Sequence, residues 1–361
     1  MDIKRCLLLC GNILASKLDR SLNKPFRLPY RIKIFLTHAC NCRCKHCGIW
    51  KIYQSNPLKR KEELSISCWE RLLYKLGKNL SILSISGGEP FLREDLKDLI
   101  ILASKHCKSL FAININTNGT LPEQVRDSTA SILKSVRKNI KLQVSISCDG
   151  SEQAHDYSRG VNGSYAKVVR TIKALSDLKS RYRNLEILKN MTISSENIEE
   201  AGSFLKQARE EKIKFMTSFV LESGHFNYDK TSNLAASCIP RPKILETLKL
   251  IDKAIPCWDP RWLIQKIYIR LSRRYFKSPP KQVLPCYSSW SSVGIDPYGN
   301  VLPCIMWPVI LGSLKDNNFE LDKILKGATT QRVRQAIKQK ECPACWDPND
   351  AYITILQNLP F

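Results

Sequence analysis

No stretch of this 361-residue chain approaches the ~20 consecutive apolar residues that a membrane-spanning helix needs. The short apolar opening Cys6-Leu7-Leu8-Leu9-Cys10 offers no secretory signal with a usable cleavage site. Repeats and low-complexity tracts are missing. Nothing resembles a nucleic-acid-binding module, so nucleic acid is not an expected partner. Acidic residues are scarce: 33 Asp and Glu face 57 Lys and Arg, leaving a net charge of +24. Most of that excess is spread along the chain and reads as solvated helix faces. These absences predict a soluble, cytoplasmic protein.

Cysteine runs the other way. Fifteen are too many for a reducing compartment unless metal uses some of them. Cys40, Cys44 and Cys47 stand in THACNCRCKHCGIW, beginning three residues after an apolar strand expected at Ile32 to Thr37. Three thiolates at C-x3-C-x2-C spacing on one loop can ligate three irons of a [4Fe–4S] cube. Such clusters usually take four cysteines, so three leave one iron open to a small molecule. For a lone triplet the plain alternatives are chance cysteines on a surface loop or a zinc knuckle.

More short motifs follow, each after an expected strand. Ser86-Gly87-Gly88-Glu89-Pro90 comes after Leu80 to Ile85, and Asn116-Thr117-Asn118-Gly119 after Phe111 to Ile115. Ser147-Cys148-Asp149-Gly150 closes Lys141 to Ile146, and His155-Asp156-Tyr157-Ser158-Arg159-Gly160 comes next. With the cysteines, this order resembles the radical S-adenosylmethionine (SAM) superfamily over about residues 30 to 225. The resemblance implies that SAM chelates the open iron and is cleaved to a 5′-deoxyadenosyl radical, with reducing electrons from a donor such as flavodoxin or ferredoxin. It implies SAM contacts from Gly87, Gly88 and Glu89 at the amino group, from Asn116 and Asn118 at the same barrel level, from Ser147 at the ribose and from Arg159 at the carboxylate. Further strands are expected near Leu185 to Ile193 and Lys214 to Leu221, with helices between, such as Asp95 to Lys105 and Ala166 to Lys179. Alternating strands and helices point to an α/β fold with a parallel sheet, here a partial (β/α)6 TIM-type barrel whose chemistry sits at the strand C-termini. Cys42 is an extra cysteine outside the family spacing. His46 reads as packing around the cluster rather than as a ligand.

A second cysteine set lies at the far end. Cys286 and Cys304 are separated by seventeen residues, and Cys342 and Cys345 form a C-x2-C pair. Between the first two, an Asp296-Pro297-Tyr298-Gly299-Asn300 turn joins two short strands, with Pro and Gly supplying tight backbone angles. This resembles the auxiliary-cluster domains called SPASM and twitch. Four cysteines fit the twitch form with one auxiliary [4Fe–4S] cluster, in a small β-hairpin/α domain. Zinc is the alternative, although zinc sites usually pair their ligands closely. Four thiolates would leave no open iron, which suits electron transfer. The pattern resembles 2-deoxy-scyllo-inosamine dehydrogenase-type members, which implies a two-electron oxidation of a sugar, lipid headgroup or other metabolite. Cys6, Cys10, Cys42, Cys68, Cys107, Cys148, Cys238 and Cys257 are expected as buried small hydrophobes.

The expected organisation is an N-terminal extension (1–29), a barrel (30–225), a linker and basic helix (226–281) and the auxiliary domain (282–361). Asn227 to Lys243 and Pro279-Pro280 read as linkers. Arg261 to Lys281 interleaves apolar and basic residues; the expectation is a helix bridging barrel and C-terminal unit, with peripheral membrane contact the alternative. Two other functions stay open. Many auxiliary-cluster relatives modify ribosomal peptides, against which only about thirty residues precede the barrel. An iron–sulfur electron carrier without SAM chemistry would leave Gly87, Gly88, Glu89, Ser147 and Arg159 without a role.

Overall fold

The computed structural model describes residues 3–23, 27–222, 233–256, 259, 262–278, 282–343 and 345–359. Six parallel strands follow one another in sequence: β1 (Arg31–Thr37), β2 (Ile82–Gly87), β3 (Ala112–Thr117), β4 (Lys141–Ser147), β5 (Leu185–Ile193) and β6 (Lys214–Phe219). Each lies beside its predecessor, as short right-handed crossovers favour. Helices Ile66–Leu76, Leu96–His106, Pro122–Ser135, Ser164–Arg181 and Ala201–Glu210 form those crossovers. The first of them shows why. Ser65 caps its N-terminus through the Cys68 amide, Gly77 ends it at φ +50°, and Trp69, Leu72, Leu73 and Leu76 repeat at helical spacing on its buried face. Each such side chain contributes about 1.5–3 kcal/mol on burial.

The strands sort their side chains by chemistry. Ile32, Ile34, Leu36, Leu83, Ile85, Ile113 and Ile115 join the main core. Their alternates Lys33, Ser84, Ser86 and Asn116 border a cavity inside the barrel. A complete barrel fills its centre with bulky branched residues. This one lines it with amides and hydroxyls, which leaves room for a polar guest.

The C-terminal unit is built onto the same sheet. Strand β7 (Ser292–Ile295) pairs parallel with β1, placing Lys33 opposite Gly294, and β8 (Asn300–Leu302) and β9 (Gly312–Ser313) follow antiparallel. The expected hairpin is present. Asp296 Oδ1 accepts the Tyr298 and Asn300 amides at 2.9 and 2.8 Å, and Gly299 takes φ +94°. Helix Pro348–Asn358, capped by Asp347, closes the side that further barrel strands would otherwise fill. Lys33 Nζ meets Asp350 Oδ1 at 2.5 Å with both side chains buried, and the Arg31 guanidinium bonds the Asn349 carbonyl.

Two expectations need correction, the end of one linker and the burial of the spare cysteines. The linker expected to reach Lys243 ends earlier, because helix Arg241–Ala254 begins with a proline in its first turn, a position that needs no amide hydrogen. Residues 227–232 and 279–281 lie outside the described residues. The residues before the barrel form helix Ile3–Leu22, packed against helix Pro348–Asn358. Among the spare cysteines, Cys42, Cys107 and Cys148 are buried, but Cys238 is exposed and Cys6, Cys10 and Cys68 are partly so; Cys257 lies outside the described residues. The basic segment forms helix Leu263–Lys277, which buries Tyr268, Ile269, Ser272 and Tyr275. Tyr268 stacks on Trp346 at 5.8 Å, so this helix does bridge to the C-terminal unit; Arg261 lies outside the described residues. Among the described residues no helix is long and apolar enough to cross a membrane.

Removing one partner of the buried Lys33–Asp350 pair leaves a lone charge in the barrel. Asp350→Ala is expected to lower unfolding stability by about 3–5 kcal/mol, whereas Lys33→Met with Asp350→Leu recovers most of it. Denaturant titration of the three proteins measures the difference.

Candidate active site

A cavity of about 250 Å³ opens at the C-terminal ends of the strands. Cys40, Cys44 and Cys47 border it, as do Gly87, Gly88, Asn116, Asn118, Ser147 and Arg159. Glu89 is the one expected SAM contact that does not. Its side chain is fully buried, and its oxygens accept the Phe91 amide (3.1 Å), the Thr117 hydroxyl (2.9 Å) and the Asn118 amide (2.7 Å). Burial pushes its carboxyl up to about 7 despite those donors. In this structure Glu89 ties the end of β2 to the turn after β3.

The glycines also have a partner within the protein. A Cβ on Gly87 would stand 2.3 Å from the Thr37 carbonyl oxygen, and one on Gly88 would stand 2.1 Å from that of Ala39. The Gly88 and Glu89 amides bond those same carbonyls at 2.7 and 2.8 Å. Backbone therefore meets backbone where the cysteine loop leaves β1, and only glycine allows it.

The cysteine loop is braced on several sides. Its Arg43 and Lys45 amides bond the Arg159 and Ser158 carbonyls at 2.9 and 3.0 Å, and Trp50 Nε1 bonds the Cys44 carbonyl at 3.2 Å. Asn118 Nδ2 bonds Asn41 Oδ1 at 2.7 Å. Cys42 is buried between its neighbours and does not border the cavity. Its thiol hydrogen-bonds to Cys40 and Cys44, which raises its own pKa and lowers theirs. That bond, with Arg159 nearby, outweighs burial and holds Cys44 at about 5, while burial pushes Cys47 up to about 12. The cavity-facing thiols are thus the three at family spacing. His46 also borders the cavity, and burial lowers its pKa, keeping the ring neutral.

Arg159 is buried at 2.8 Å from the fully buried Asp149, and its Nη1 lies 3.7 Å from Cys44 Sγ. Its Nη2 has no hydrogen-bond partner, and neither has Asn190 Oδ1 on the cavity wall. An unsatisfied guanidinium nitrogen beside cavity-lining thiols fits a ligand that carries a carboxylate, as SAM does. The residues beside Arg159 are structural. His155 is buried and its Nδ1 accepts the Asp149 amide at 3.1 Å. Asp156 accepts the Gly163 and Tyr165 amides and the Ser164 hydroxyl at the start of helix Ser164–Arg181. Tyr157 is exposed, with Lys45 over its ring.

The far end of the cavity is formed by Asp347 and Asn349, just after Cys345. Asp347 also borders a second cavity of about 40 Å³ lined by Cys286, Cys342 and Cys345. Cys304 packs with Cys345, Phe35, Ile305 and Met306 in a small apolar cluster. Burial raises the pKa values of Cys286, Cys304 and Cys345, and neighbouring thiols raise them further. These groups are therefore neutral thiols, partly exposed, and a cationic centre bound among them would favour their ionised, ligating form. Among the described residues no three His, Cys, Asp or Glu side chains are grouped to hold a single metal ion.

Sequence reasoning missed Lys33, Asp347 and Asn349, which strand alternation and a helix cap next to a C-x2-C pair could have suggested. It also missed Glu63, whose carboxylate accepts from Thr37 Oγ1 (2.6 Å), the His38 amide (3.1 Å), the Tyr53 hydroxyl and Arg93 (3.0 Å) behind the cysteine loop. Its run KRKEEL reads only as a solvated charge cluster.

Burial lowers His155 from an ordinary 6.5 to about 4, so its neutral form is the native one. The stability this gives is full above pH 6.5 and is lost as pH falls toward 4, about 3 kcal/mol in all. In urea unfolding across that range, His155→Asn, whose amide oxygen can replace Nδ1 as acceptor, should flatten the acid limb.

Residues 34–208 match the family model of the radical SAM superfamily, and residues 286–347 match that of SPASM, an iron–sulfur cluster-binding domain. The sporulation killing factor maturation protein SkfB of Bacillus subtilis (strain 168) is 32% identical over 182 residues, 50% of this chain and 40% of that protein. The antilisterial bacteriocin subtilosin biosynthesis protein AlbA of the same organism is 25% identical over 305 residues, 82% of this chain and 59% of that protein. PqqA peptide cyclase of Xanthomonas euvesicatoria pv. vesicatoria (strain 85-10) is 27% identical over 300 residues, 80% of this chain and 71% of that protein. The chain therefore spans 40% and 59% of the length of the first two. The solved structure of native anSMEcpe with bound AdoMet and Cp18Cys peptide superposes with a TM-score of 0.58 at 19% identity, covering 88% of this chain and 86% of that one, a likeness of fold. A radical SAM domain implies a [4Fe–4S] cluster with SAM, and a SPASM domain implies auxiliary iron–sulfur clusters. Both matches fall where the strands, loops and thiols stand, and the chain belongs to the radical SAM superfamily with a C-terminal SPASM domain.

Proposed function

We propose that this radical SAM enzyme modifies a peptide, with the [4Fe–4S] cluster that binds SAM on Cys40, Cys44 and Cys47 and an auxiliary [4Fe–4S] cluster on Cys286, Cys304, Cys342 and Cys345. The observation that carries the site assignment is the cavity itself. Three thiols and Arg159 border one end, and Asp347 and Asn349, from the segment after Cys345, border the other. When bound, the cluster and SAM supply the one-electron chemistry that removes a hydrogen atom from substrate.

The chain's own groups hold and shield. Arg159, kept charged by Asp149, offers its free Nη2 to the SAM carboxylate. Ser147, Asn116 and Asn118 present polar groups around the same space. Lys33 is neutralised by Asp350, leaving Asp347 to face the guest from the C-terminal side. With four cysteines at the auxiliary site no iron is left open, so substrate is held by the barrel rather than by that cluster.

The relatives favour a peptide. Those named for subtilosin biosynthesis and for cyclising the PqqA peptide align over 82% and 80% of this chain. The small-metabolite oxidation expected from the cysteine count is the second reading. The Fe-coproporphyrin III synthase of Methanosarcina barkeri (strain Fusaro / DSM 804) and the pre-heme d1 synthase of Dinoroseobacter shibae (strain DSM 16493 / NCIMB 14021 / DFL 12) align over 49% and 54% of the chain.

Two measurements test this. Anaerobically reconstituted protein should hold about eight irons, falling to about four in Cys286→Ala/Cys304→Ala with SAM cleavage retained; equal iron in both removes the auxiliary assignment. Short peptides encoded beside the gene should raise 5′-deoxyadenosine release and change mass. Stimulation by sugar alcohols and by no peptide would sink the peptide reading.

A further inference from the structure

Helix Ile3–Leu22 is turned inside out. Several of its polar side chains face the protein. Asn12 Nδ2 bonds Ser81 Oγ at 3.0 Å, Lys17 Nζ bonds the Leu359 carbonyl at 3.1 Å, and Arg20 Nε bonds the Cys286 carbonyl at 3.1 Å. Ser16 and Asp19 are buried beside Ile13. Its leucines face out: Leu7, Leu14, Leu18 and Leu22 are 67%, 56%, 55% and 51% exposed. The other exposed positions described on this helix are Gly11 and Ser21, so no charged residue is among the exposed positions described there. From Leu7 to Leu22 the stripe runs about 22 Å at 1.5 Å per residue.

The surrounding charge indicates what covers it. The chain carries +24, which repels a second copy and attracts an anionic surface. The neighbouring basic helix, Leu263–Lys277, packs on the same C-terminal helix and exposes Leu263, Arg270, Arg274 and Lys277. Leucines that enter the acyl boundary, with cations nearby for the headgroups, are what an in-plane helix needs. We propose that the N-terminal helix lies on an anionic lipid bilayer through Leu7, Leu14, Leu18 and Leu22, holding the enzyme at the membrane surface. The site chemistry proposed above does not depend on it.

Flotation of the anaerobically purified full chain tests this, with vesicles of phosphatidylcholine alone or mixed with phosphatidylglycerol, at ~0.15 M salt to screen bare charge attraction. The protein should float with the anionic vesicles. Leu14→Gln/Leu18→Gln should bind about tenfold more weakly or worse, with its unfolding midpoint unchanged because both positions are exposed. Leu7→Gln/Leu22→Gln should act in the same direction. Equal binding by wild type and both variants overturns the proposal. So does a lipid-free dimer, seen by sedimentation, that the same substitutions abolish, since the stripe then belongs to a second copy.

Discussion

A guanidinium buried without a counter-charge costs several kcal/mol, and the upper end of this barrel is arranged around avoiding that cost. Asp149, at the end of β4, supplies the charge for Arg159 and is itself held by the Thr192 amide and the Ser158 hydroxyl. Burial works against Arg159's charge, and Asp149 and Cys44 outweigh it. Because the carbonyls of Ser158 and Arg159 also receive the amides of Lys45 and Arg43, the cation and the cysteine loop are placed together. Thiols and cation therefore keep one spacing, set by β4 and by a buried histidine under Asp149.

The opposite side of the cavity depends on how an incomplete barrel is closed. Six strands leave a gap, and β7 extends the sheet past β1 rather than closing it. The gap is filled by the start of helix Pro348–Asn358, whose Asp350 satisfies Lys33 and whose Asn349 carbonyl satisfies Arg31. Those inward charges on β1 would be costly without the C-terminal unit. In return the unit gains a fixed orientation, and its Cys345 is carried to within a few residues of the substrate cavity.

Much of this was legible in the sequence because it is local. Strand β5 runs over the expected Leu185–Ile193, and the other barrel strands differ from expectation by one or two residues at their ends. Alternation along a strand and a glycine turn are short-range signals. The site was legible where the residues belong to loops that follow strands, and illegible where partners come from afar. The motif marks Glu89 but not its intramolecular donors, which are Asn118 and Thr117, almost thirty residues on, and Phe91. Lys33 and Asp350 lie more than three hundred positions apart in sequence, and neither carries a local mark of pairing. The linker misread near Lys243 has a different cause, since prolines mark both linkers and first helical turns.

One short segment joins the two thiol sets. Cys345, Trp346 and Asp347 follow one another. Cys345 packs with Cys304, Trp346 Nε1 donates to Ser272 Oγ at 3.0 Å on the bridging helix, and Asp347 borders both cavities. Three consecutive side chains thus touch the auxiliary thiols, the bridge and the substrate space. Packed interiors transmit small shifts rather than absorb them. Burial first, and then their neighbours, disfavour ionisation of Cys286, Cys304 and Cys345, and a cation bound among them would reverse that preference. Asp347 and Asn349 border the barrel cavity directly after Cys345, so a movement of that thiol would reach the cavity wall by contact.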